Sequence, residues 1–416
     1  MKIIIKNISV IIFCFFISYQ NIYAQKIVTI DFDFENKIKF ETPAKIDLDN
    51  ITFPPDSLLT LIEISGDKRT ATPFQINNGE PRLLHWIINN NVENGLNHVY
   101  ELVKVDDKNS YSKMKIKKEN GILSINDDDR ELLGYQFKTV YPPAGIDTAY
   151  KRSGFIHPLL SPHGQVLTQI QPEDHYHHYG IWNPWTHVLY EADTVDFWNL
   201  AKREGTVRFA NFVSTVEGPI FSEFKTLHQH VVFNYNGPED IALNELQTVR
   251  IYKPENPDYY LVDINIELNC GTDNPVKLLK YRYGGLGWRA TETWNSNNSE
   301  VLTSEGKIRK DADGSRARWI MVQGDIDNDH AGILIMSYPT NYNFPEPLRV
   351  WPEDQNERGD VFVNFSPTKN KDWELFPEKT YTLKYRLLVF NGELNGTDAE
   401  NAWQSYTTEN NIHLLK

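Results

Sequence analysis

Apolar and polar residues alternate with a period of two along most of the chain, which is the pattern of a β-strand with one buried face. The alternation is clear in residues 27–34, 58–64 and 82–88, and again in 259–268. Helix-period runs are scarce, and the best is 397–406, with Thr397 or Asp398 as its N-cap. Because each sheet must cover its apolar face, such a chain is expected to fold as antiparallel sheets packed on one another.

The spacing of these strands predicts two sandwiches of different size. Residues 25–112 contain short alternating runs separated by turn residues, which is typical of a small N-terminal β-sandwich. From residue 113 to 416 the strands are longer, and we predict one large antiparallel sandwich there. Aromatic residues make up 12% of the chain, and they suit the half-buried surface of a sheet. The absence of helices alternating with strands argues against an α/β fold.

Residues 1–24 predict a secretory signal peptide. Lys2 and Lys6 supply a positive start, and 8–17 is an apolar core too short to span a bilayer, followed by a cleavage point before Gln25. Cys270 is the only cysteine beyond it, so no intrachain disulfide is expected. No later run is long and apolar enough to span a membrane. We therefore predict a periplasmic or secreted protein without membrane insertion.

The charge of the chain argues against a nucleic-acid partner. Lys and Arg number 42 against 56 Asp and Glu, which gives a net charge of −14. A phosphate backbone is bound by clustered cations, and the sequence has no basic stripe. The partner that we expect is instead an oligosaccharide or polysaccharide substrate, for the reasons that follow.

The stretch from His157 to Trp198 is the longest break in the strand pattern, and it contains six of the 12 histidines. Long loops in compact domains are often functional. On an extended backbone, His175 and His177 would share one face and could bind Zn or Cu. No matching ligand motif occurs elsewhere in the chain. We interpret the stretch primarily as a surface that binds sugar and supplies acid/base groups, and we expect no cofactor. A divalent metal on those two histidines is the alternative.

Aromatic and cationic residues accompany the histidines. The faces of Trp182, Trp185 and Trp198 suit the C–H faces of sugars, and core packing is the alternative. Arg282 and Arg289 flank a Gly-rich turn and could bind a carboxylate or sulfate through bidentate hydrogen bonds. A salt bridge that fixes the loop is the alternative for these two arginines.

Five motifs resemble a bacterial family of unknown function that carries the label "methane oxygenase PmoA". The motifs are Arg-x-x-Phe-x-His-Pro at 152–158, Ser-Pro-x-Gly at 161–164, Pro-Glu-Asp-His-x-His-His-x-Gly-x-Trp at 172–182, Val-Asp-Phe-Trp at 195–198 and Tyr-x-Gly-Leu-Gly-x-Arg at 283–289. We regard the label as a mislabel, because a membrane-bound copper oxygenase needs transmembrane helices and this sequence predicts none.

The resemblance implies a galactose-mutarotase-like β-supersandwich, in agreement with the large sandwich predicted above. Members of that family occur in polysaccharide-degrading bacteria. The resemblance therefore implies a carbon–oxygen lyase, most specifically an oligosaccharide dehydratase or lyase that forms a 4,5-unsaturated uronyl end on ulvan-like oligosaccharides. Such an elimination needs the uronate carboxylate neutralised, the C5 proton removed and the leaving group protonated.

These roles lead to a set of expected site residues. The catalytic residues are expected to be His175, His177, His178, Tyr179 and Arg289. The substrate-binding residues are expected to be His157, Trp182, Trp185, Asp196, Trp198, Arg282 and Tyr283. One alternative is a glycoside hydrolase, for which the candidate carboxylates are Asp196, Glu223, Glu292 and Glu353. The other alternative is a non-catalytic carbohydrate-binding protein.

Overall fold

The computed structural model describes residues 25–34, 38–90, 97–105, 111–234, 237–408 and 411–415. The predicted signal peptide lies outside the described residues. Within those ranges, no helix combines the length and the apolar character that crossing a bilayer would need.

Short strands form the N-terminal part of the chain. They are β1 (Gln25–Asp33), β2 (Thr42–Asp47), β3 (Leu59–Ser65), β4 (Lys68–Thr72), β5 (Phe74–Asn78), β6 (Arg82–Ile88) and β7 (Asn97–Lys104). A 3₁₀ turn, Asp56–Leu58, precedes β3.

The middle of the chain begins with short strands and continues with long ones. The first group is β8 (Lys115–Glu119), β9 (Ile122–Asp127), β10 (Arg130–Gln136), β11 (Phe155–Leu159), β12 (Ile181–Trp182), β13 (Val188–Tyr190) and β14 (Asp193–Val195). The second group is β15 (Gly205–Val216), β16 (Phe221–Val232), β17 (Asp240–Tyr252), β18 (Tyr259–Cys270), β19 (Val276–Leu278), β20 (Gly287–Arg289) and β21 (Ser299–Thr303).

The last third adds further strands and one α-helix. The elements are β22 (Arg316–Ala317), β23 (Trp319–Ile326), β24 (Asp329–Ser337), β25 (Glu346–Val350), β26 (Phe362–Phe365), β27 (Trp373–Leu375), β28 (Tyr381–Asn391), α1 (Gly396–Thr407) and β29 (Asn411–Leu415). The predicted helix is present, but its N-cap is Asn395, whose side chain accepts from the backbone N–H groups of Thr397 and Asp398. The predicted N-cap was wrong because both of those residues already lie inside the first turn.

The N-terminal strands pack as two sheets. A five-stranded sheet has the order β29-β1-β7-β3-β4, and a three-stranded sheet has the order β2-β6-β5. Their shared core includes Phe32, Trp86 and Tyr100, and the rings of Phe32 and Trp86 meet edge to face at 5.3 Å. One edge strand, β29, comes from the far end of the chain, a pairing that the sequence did not indicate. The predicted division into domains at residues 112 and 113 stays a prediction.

Two larger sheets build the rest of the molecule. One has eight strands in the order β15-β16-β17-β18-β28-β24-β23-β21, and the other has nine in the order β22-β25-β26-β20-β12-β11-β10-β9-β8. A four-stranded sheet, β14-β13-β19-β27, completes the structure. One core cluster contains Val249 and Leu387 from the eight-stranded sheet, Leu133 and Val363 from the nine-stranded sheet, and Val188 from the four-stranded sheet. The predicted all-β class, with a small sandwich followed by a large antiparallel one, is confirmed.

Neighbouring short strands of the nine-stranded sheet bring distant segments together. Ile156 of β11 pairs with Ile181 of β12, Ile181 pairs with Trp288 of β20, and Arg289 of β20 pairs with Phe362 of β26. The loop between β11 and β12, the end of β20 and the loop before β26 therefore meet at one place on the surface.

Candidate functional site

Three histidines of the loop between β11 and β12 converge at that place. The candidate ligand atoms of His175, His177 and His178 all lie within 4.8 Å of one another. A tight turn gathers them, since the backbone N–H of His178 donates to the carbonyl of His175 at 2.9 Å. The extended backbone expected for His175 and His177 was therefore wrong, and the turn brings in the third imidazole as well.

Asp174 orients the first of these imidazoles. Its Oδ2 lies 2.6 Å from Nδ1 of His175, 2.7 Å from Nδ2 of Asn356 and 3.2 Å from Nη1 of Arg289. Burial raises the pKa of Asp174, but the hydrogen bond from His175 and the charge of Arg289 outweigh it and hold the pKa well below its usual range. The carboxylate is therefore ionised, and it keeps the proton of His175 on Nδ1, so that Nε2 is available as a base or a ligand.

The other two imidazoles are kept neutral by their surroundings. Burial, together with the charge of His175, lowers the pKa of His177 to about 3. Burial also lowers the pKa of His178 well below its ordinary value, and the neighbouring His177 adds to the effect. A neutral imidazole can accept a proton or bind a metal ion at neutral pH.

The three imidazoles could also hold a divalent metal. Three neutral nitrogen donors are a common ligand set for zinc, and a carboxylate behind one ligand, as Asp174 stands behind His175, is a usual companion. Nδ1 of His178 is buried and has no hydrogen-bond partner among the described residues, which suits a ligand atom. An imidazole bound to metal cannot also act as a base, so the two uses exclude each other.

The predicted sugar-binding tryptophans lie beneath the surface. Trp182 and Trp198 are buried, and their ring centroids lie 5.2 and 6.4 Å from that of His178, so they form the floor of the histidine cluster. Trp185 is buried in the main core against Trp373 at 6.0 Å. Other side chains cover the faces of these three residues, which favours the alternative of core packing, and their predicted role in sugar binding stays a prediction.

Most of the N–H donors of Arg289 are engaged by protein groups. Its guanidinium is buried and binds both oxygens of Asp174 at 3.2 Å, Oδ2 of Asp360 at 3.0 Å and Oε1 of Gln169 at 3.2 Å. It also lies 4.6 Å above the ring of Trp351. These contacts favour the alternative of a salt bridge that fixes the loops, and the expected catalytic role stays a prediction.

Three further predicted site residues, Asp196, Arg282 and Tyr283, form a neighbouring group. Oδ1 of Asp196 accepts from the backbone N–H groups of Trp198 and Asn199 at 2.8 and 3.0 Å, so this carboxylate caps a turn instead of facing substrate. Tyr283 donates to Oδ1 of Asn199 at 3.0 Å and is only partly buried. Arg282 is exposed and lies 5.4 Å from the Tyr283 ring. Of this group, Arg282 and Tyr283 keep a surface that a substrate could touch.

Tyr179 and His157 differ in access. The hydroxyl of Tyr179 donates to the carbonyl of Tyr150 and accepts from Nε2 of Gln171 at 2.6 Å, while burial raises its pKa to about 12. The hydroxyl is therefore enclosed and engaged by protein groups, and its expected catalytic role stays a prediction. His157 is half-buried at a cleft, with Nδ1 2.9 Å from Oγ1 of Thr168, and burial lowers its pKa to about 4.

That cleft has a volume of about 670 Å³ and adjoins the histidine cluster along the chain. Its lining is mostly polar and includes His157, Gln169, Gln171, Glu173, Glu292 and Asp327. Among the carboxylates considered for a hydrolase, Glu292 lines the cleft. Glu223 instead pairs with Nε of Arg250 at 2.7 Å, and Glu353 is exposed on another loop.

Several residues of the site were missed from sequence. Trp351, Asn356 and Asp360 follow β25, and they contact the histidines, Asp174 and Arg289 respectively. The mixture of aromatic and polar residues around Trp351 was a weak signal for this loop. Nothing local in the sequence showed that β26 lies beside β20, and that pairing is what brings the loop to the site.

A second cluster of titratable groups, also missed, lies sealed in the core. Glu245 of β17 contacts Nδ1 of His228 and Nε2 of His230 on β16, each at 3.0 Å. The hydroxyl of Tyr135 lies 2.5 Å from Nε2 of His228, and Nδ2 of Asn183 donates to Glu245 at 2.9 Å. The His-x-His spacing on a strand, which places both side chains on one face, was the available signal. All five residues are buried, so the cluster is not accessible to a substrate.

Comparison with known proteins adds a family. A family model described as a family of unknown function, DUF6807, matches residues 123–404. No curated protein matches the chain by sequence.

Solved structures resemble the chain only distantly. A galactose mutarotase related enzyme from Lactobacillus acidophilus has 9% identity and a TM-score of 0.34, covering 67% of this chain and 97% of that one. A mutant of heparan sulfate lyase HepC from Pedobacter heparinus has 10% identity and a TM-score of 0.33, covering 70% of this chain and 38% of that one. A putative aldose 1-epimerase from Klebsiella pneumoniae has 9% identity and a TM-score of 0.31, covering 87% of this chain and 90% of that one. Likeness at this level decides no activity.

Proposed function

The chain belongs to DUF6807, a family of unknown function, and from that premise we propose that it is a carbohydrate-active carbon–oxygen lyase. The proposed substrate is a uronic-acid-containing, ulvan-like oligosaccharide, and the product carries a 4,5-unsaturated uronyl end. If C4 of the uronate bears a sugar, the enzyme is a lyase, and if C4 bears a free hydroxyl, it is a dehydratase. The predicted signal peptide supports a place of action in the periplasm or outside the cell.

One observation carries this proposal: three imidazoles, of which two are held neutral and one is backed by an ionised carboxylate, meet beside an open polar cleft. In the elimination, a base removes the C5 proton, the electron pair forms the C4–C5 double bond, and the C4–O bond breaks as its oxygen takes a proton. Neighbouring imidazoles suit both proton transfers. We assign removal of the C5 proton to His175, which Asp174 orients, and this proton then passes by way of His177 to the departing oxygen, so that neither imidazole has to start protonated.

The carboxylate of the uronate also needs a positive charge opposite it, and Arg289 is buried and already paired with Asp174 and Asp360. We assign this role to Arg358, whose side chain is 49% exposed. Its Nε lies 3.0 Å from Oδ1 of Asp360 and its Nη2 donates to the carbonyl of Glu292, so Nη1 is the group that would meet the uronate. Arg358 stands two residues after Asn356, which binds Asp174, so it lies on the loop that supports the histidines. A metal ion on the three imidazoles would be the other source of positive charge.

A second candidate function, a glycoside hydrolase, has one observation in its favour. Glu173 and Glu292 both line the 670 Å³ cleft. Hydrolysis needs two carboxyl groups across the scissile bond, one as acid and one as base or nucleophile. In this case the histidine cluster would be dispensable for catalysis, whereas substitution of either glutamate would abolish it.

Incubation with ulvan oligosaccharides separates these functions. The ultraviolet absorbance of the conjugated uronyl double bond should rise with the wild-type protein and fail to rise with His175→Ala and His177→Ala. His163→Ala is the matched control, since that side chain is half exposed and pairs with Asp329. New reducing ends without absorbance would indicate a hydrolase, and glycan binding without either would indicate a binding protein. Full activity in both site variants would overturn the proposed assignment of the base.

A further inference from the structure

A separate cavity lies between the N-terminal sandwich and the outer face of the eight-stranded sheet. Its volume is about 430 Å³, and strands β2, β6, β17, β18 and β28 contribute to its lining together with α1. Among the lining residues, those with charged or titratable side chains at its polar end are Lys45, His85, Arg250, Asp263, Lys384 and Arg386. None of these belongs to the histidine site or to the cleft beside it.

The cations of this cavity outnumber its carboxylates. Asp263 forms a bidentate ion pair with Arg386, with Nε–Oδ1 at 2.6 Å and Nη2–Oδ2 at 2.8 Å. Arg250 pairs with Glu223 at 2.7 Å. Within the described part of the chain, Lys45 and Lys384 have no carboxylate at ion-pair distance. Two positive charges are therefore uncompensated in a protein whose net charge is −14.

These cations repel one another. Partial burial lowers the pKa of Lys45, and the charges of Arg250 and Lys384 lower it further. Lys384 extends over the ring of Tyr338 at 5.2 Å, so it faces aromatic surface and not a carboxylate. Placing like charges together at a partly dehydrated site is unfavourable unless an anion joins them.

His85 provides an independent observation. Its side chain is only 3% exposed, it lines the cavity, and its Nε2 has no hydrogen-bond partner among the described residues. A buried polar atom without a partner costs free energy, and a hydrogen-bonding group of a ligand would supply the partner. The unsatisfied nitrogen and the uncompensated lysines line the same cavity.

The size and remaining lining indicate a ligand larger than a simple ion. The cavity lies within the range of small-molecule sites, on the order of 300–1,000 Å³. Tyr252, Tyr406, Ser405 and Asn265 add hydroxyl and amide groups to the lining, which suits a partner rich in hydroxyls.

We propose that this cavity is a second saccharide-binding site that takes the sulfate or carboxylate group of an acidic sugar, with Lys45 and Lys384 pairing with the anion and His85 hydrogen-bonding to the same unit. The anion follows from the cavity alone, whereas its assignment to a saccharide rests on the proposed function. Held between the N-terminal sandwich and the large sandwich, such a ligand would tether a polyanionic chain while the histidine site acts on its end.

Isothermal titration calorimetry tests this with a sulfated oligosaccharide, its desulfated neutral counterpart and inorganic sulfate, each added to the full-length mature protein. Wild type should bind the sulfated oligosaccharide, and the double variant Lys45→Met/Lys384→Met should bind it roughly a hundredfold or more weakly, since both charge-assisted contacts to the anion are lost. Lys117→Met, an exposed lysine of β8, is the matched control and should bind as wild type does.

Three results would overturn the proposal: no binding by wild type, equal binding by the double variant, or equal binding of the neutral oligosaccharide. Binding of inorganic sulfate alone would overturn the saccharide assignment. A second readout is the imidazole titration of His85 by NMR, because a bound anion should raise its pKa from about 3. Elimination activity on a short oligosaccharide is measured in parallel and should be unchanged in the double variant, so that failure of this site and failure of the histidine site are distinguishable.

Discussion

At the scale of single residues, the carboxylate of Asp174 connects the histidines to the rest of the protein. It contacts His175, Arg289 and Asn356, and therefore joins three segments that are far apart in sequence. Arg289, which the sequence suggested as a substrate contact, serves to hold this carboxylate. The sequence identified Arg289 as a candidate and contained Asp174 in the motif at 172–182. It could not show that these two residues bind each other instead of a ligand, because that depends on the pairing of β12 with β20.

Substitution of Asp174 by Asn tests this positioning role. The change keeps the side-chain shape but removes the charge that favours the proton on Nδ1 of His175, so kcat for the elimination should fall by roughly 10- to 100-fold with little change in KM. Asp174→Glu should recover part of the rate, and an unchanged kcat in Asp174→Asn would contradict the role.

Removal of metal distinguishes the two uses of the cluster. The proposed elimination needs Nε2 of His175 to be free, so dialysis against a chelator should leave the rate unchanged, and the purified protein should contain far less than one equivalent of metal. Loss of activity on chelation, with recovery on addition of zinc, would instead show that His175, His177 and His178 are ligands. The metal would then supply the positive charge that we assign to Arg358.

Glu346 predicts a pH dependence of stability that is separate from catalysis. Burial raises its pKa from 4.5 to about 7, although Ser337, Asn341 and Tyr385 hydrogen-bond to it. The folded protein thus retains a proton that the unfolded chain loses above pH 4.5, so this group makes stability fall as pH rises from there to about 7. Glu346→Gln should remove that loss. The unfolding midpoint of the variant should therefore increase relative to that of wild type as the pH rises across this range. A constant difference would contradict the shifted pKa.

At the scale of elements, alternation predicted the strands well, because a period of two directly reports a buried and an exposed face. It did not predict which strands are neighbours, and the site depends on that. The contribution of the loop containing Trp351, Asn356 and Asp360 comes from the pairing of β26 with β20. Likewise, Trp182 and Trp198 lie in sequence rich in polar residues and turn formers, yet β12 and the packing of Phe362 enclose them.

The sealed cluster around Glu245 joins β16 and β17 and should contribute to stability. Burial raises the pKa of Glu245, but hydrogen bonds from His228 and His230 outweigh it and lower the pKa to about 2. Glu245→Gln leaves these imidazoles without an anionic partner and should lower the free energy of unfolding by about 1–3 kcal/mol at neutral pH. Urea unfolding measures this, with Glu267→Gln on β18 as the control.

The sign of the pH effect provides a further check on Glu245. Since its pKa is lowered in the folded state, its contribution is present above pH 4.5 and disappears as pH falls toward 2. The difference between wild type and Glu245→Gln should therefore shrink in acid. The prediction is contradicted if the difference in free energy of unfolding stays constant down to acid pH, or if the variant is as stable as wild type at neutral pH. Either result would show that the cluster contributes through packing alone.

At the scale of the whole molecule, the two ends of the described chain meet in one sheet. β29 pairs antiparallel with β1, from Thr29 opposite Leu415 to Asp33 opposite Asn411. This closure could not be predicted from sequence, because strand pairing across nearly the full chain length leaves no local pattern. The sandwich predicted from residues 25–112 is thus completed by a segment from the other end of the chain.

Deletion of residues 409–416 tests whether this closure matters for stability or for the site. Without β29, the backbone N–H and C=O groups of β1 would form an open sheet edge, which favours association between molecules. We expect a lower unfolding midpoint and concentration-dependent aggregation. The value of kcat for the elimination should stay close to that of the full-length protein, since the histidines lie in the loop between β11 and β12 of the nine-stranded sheet. A scrambled tail of equal length is the control. An unchanged midpoint would mean that β29 adds little to the N-terminal sandwich, and a parallel loss of kcat would mean that the two sandwiches are coupled through this strand.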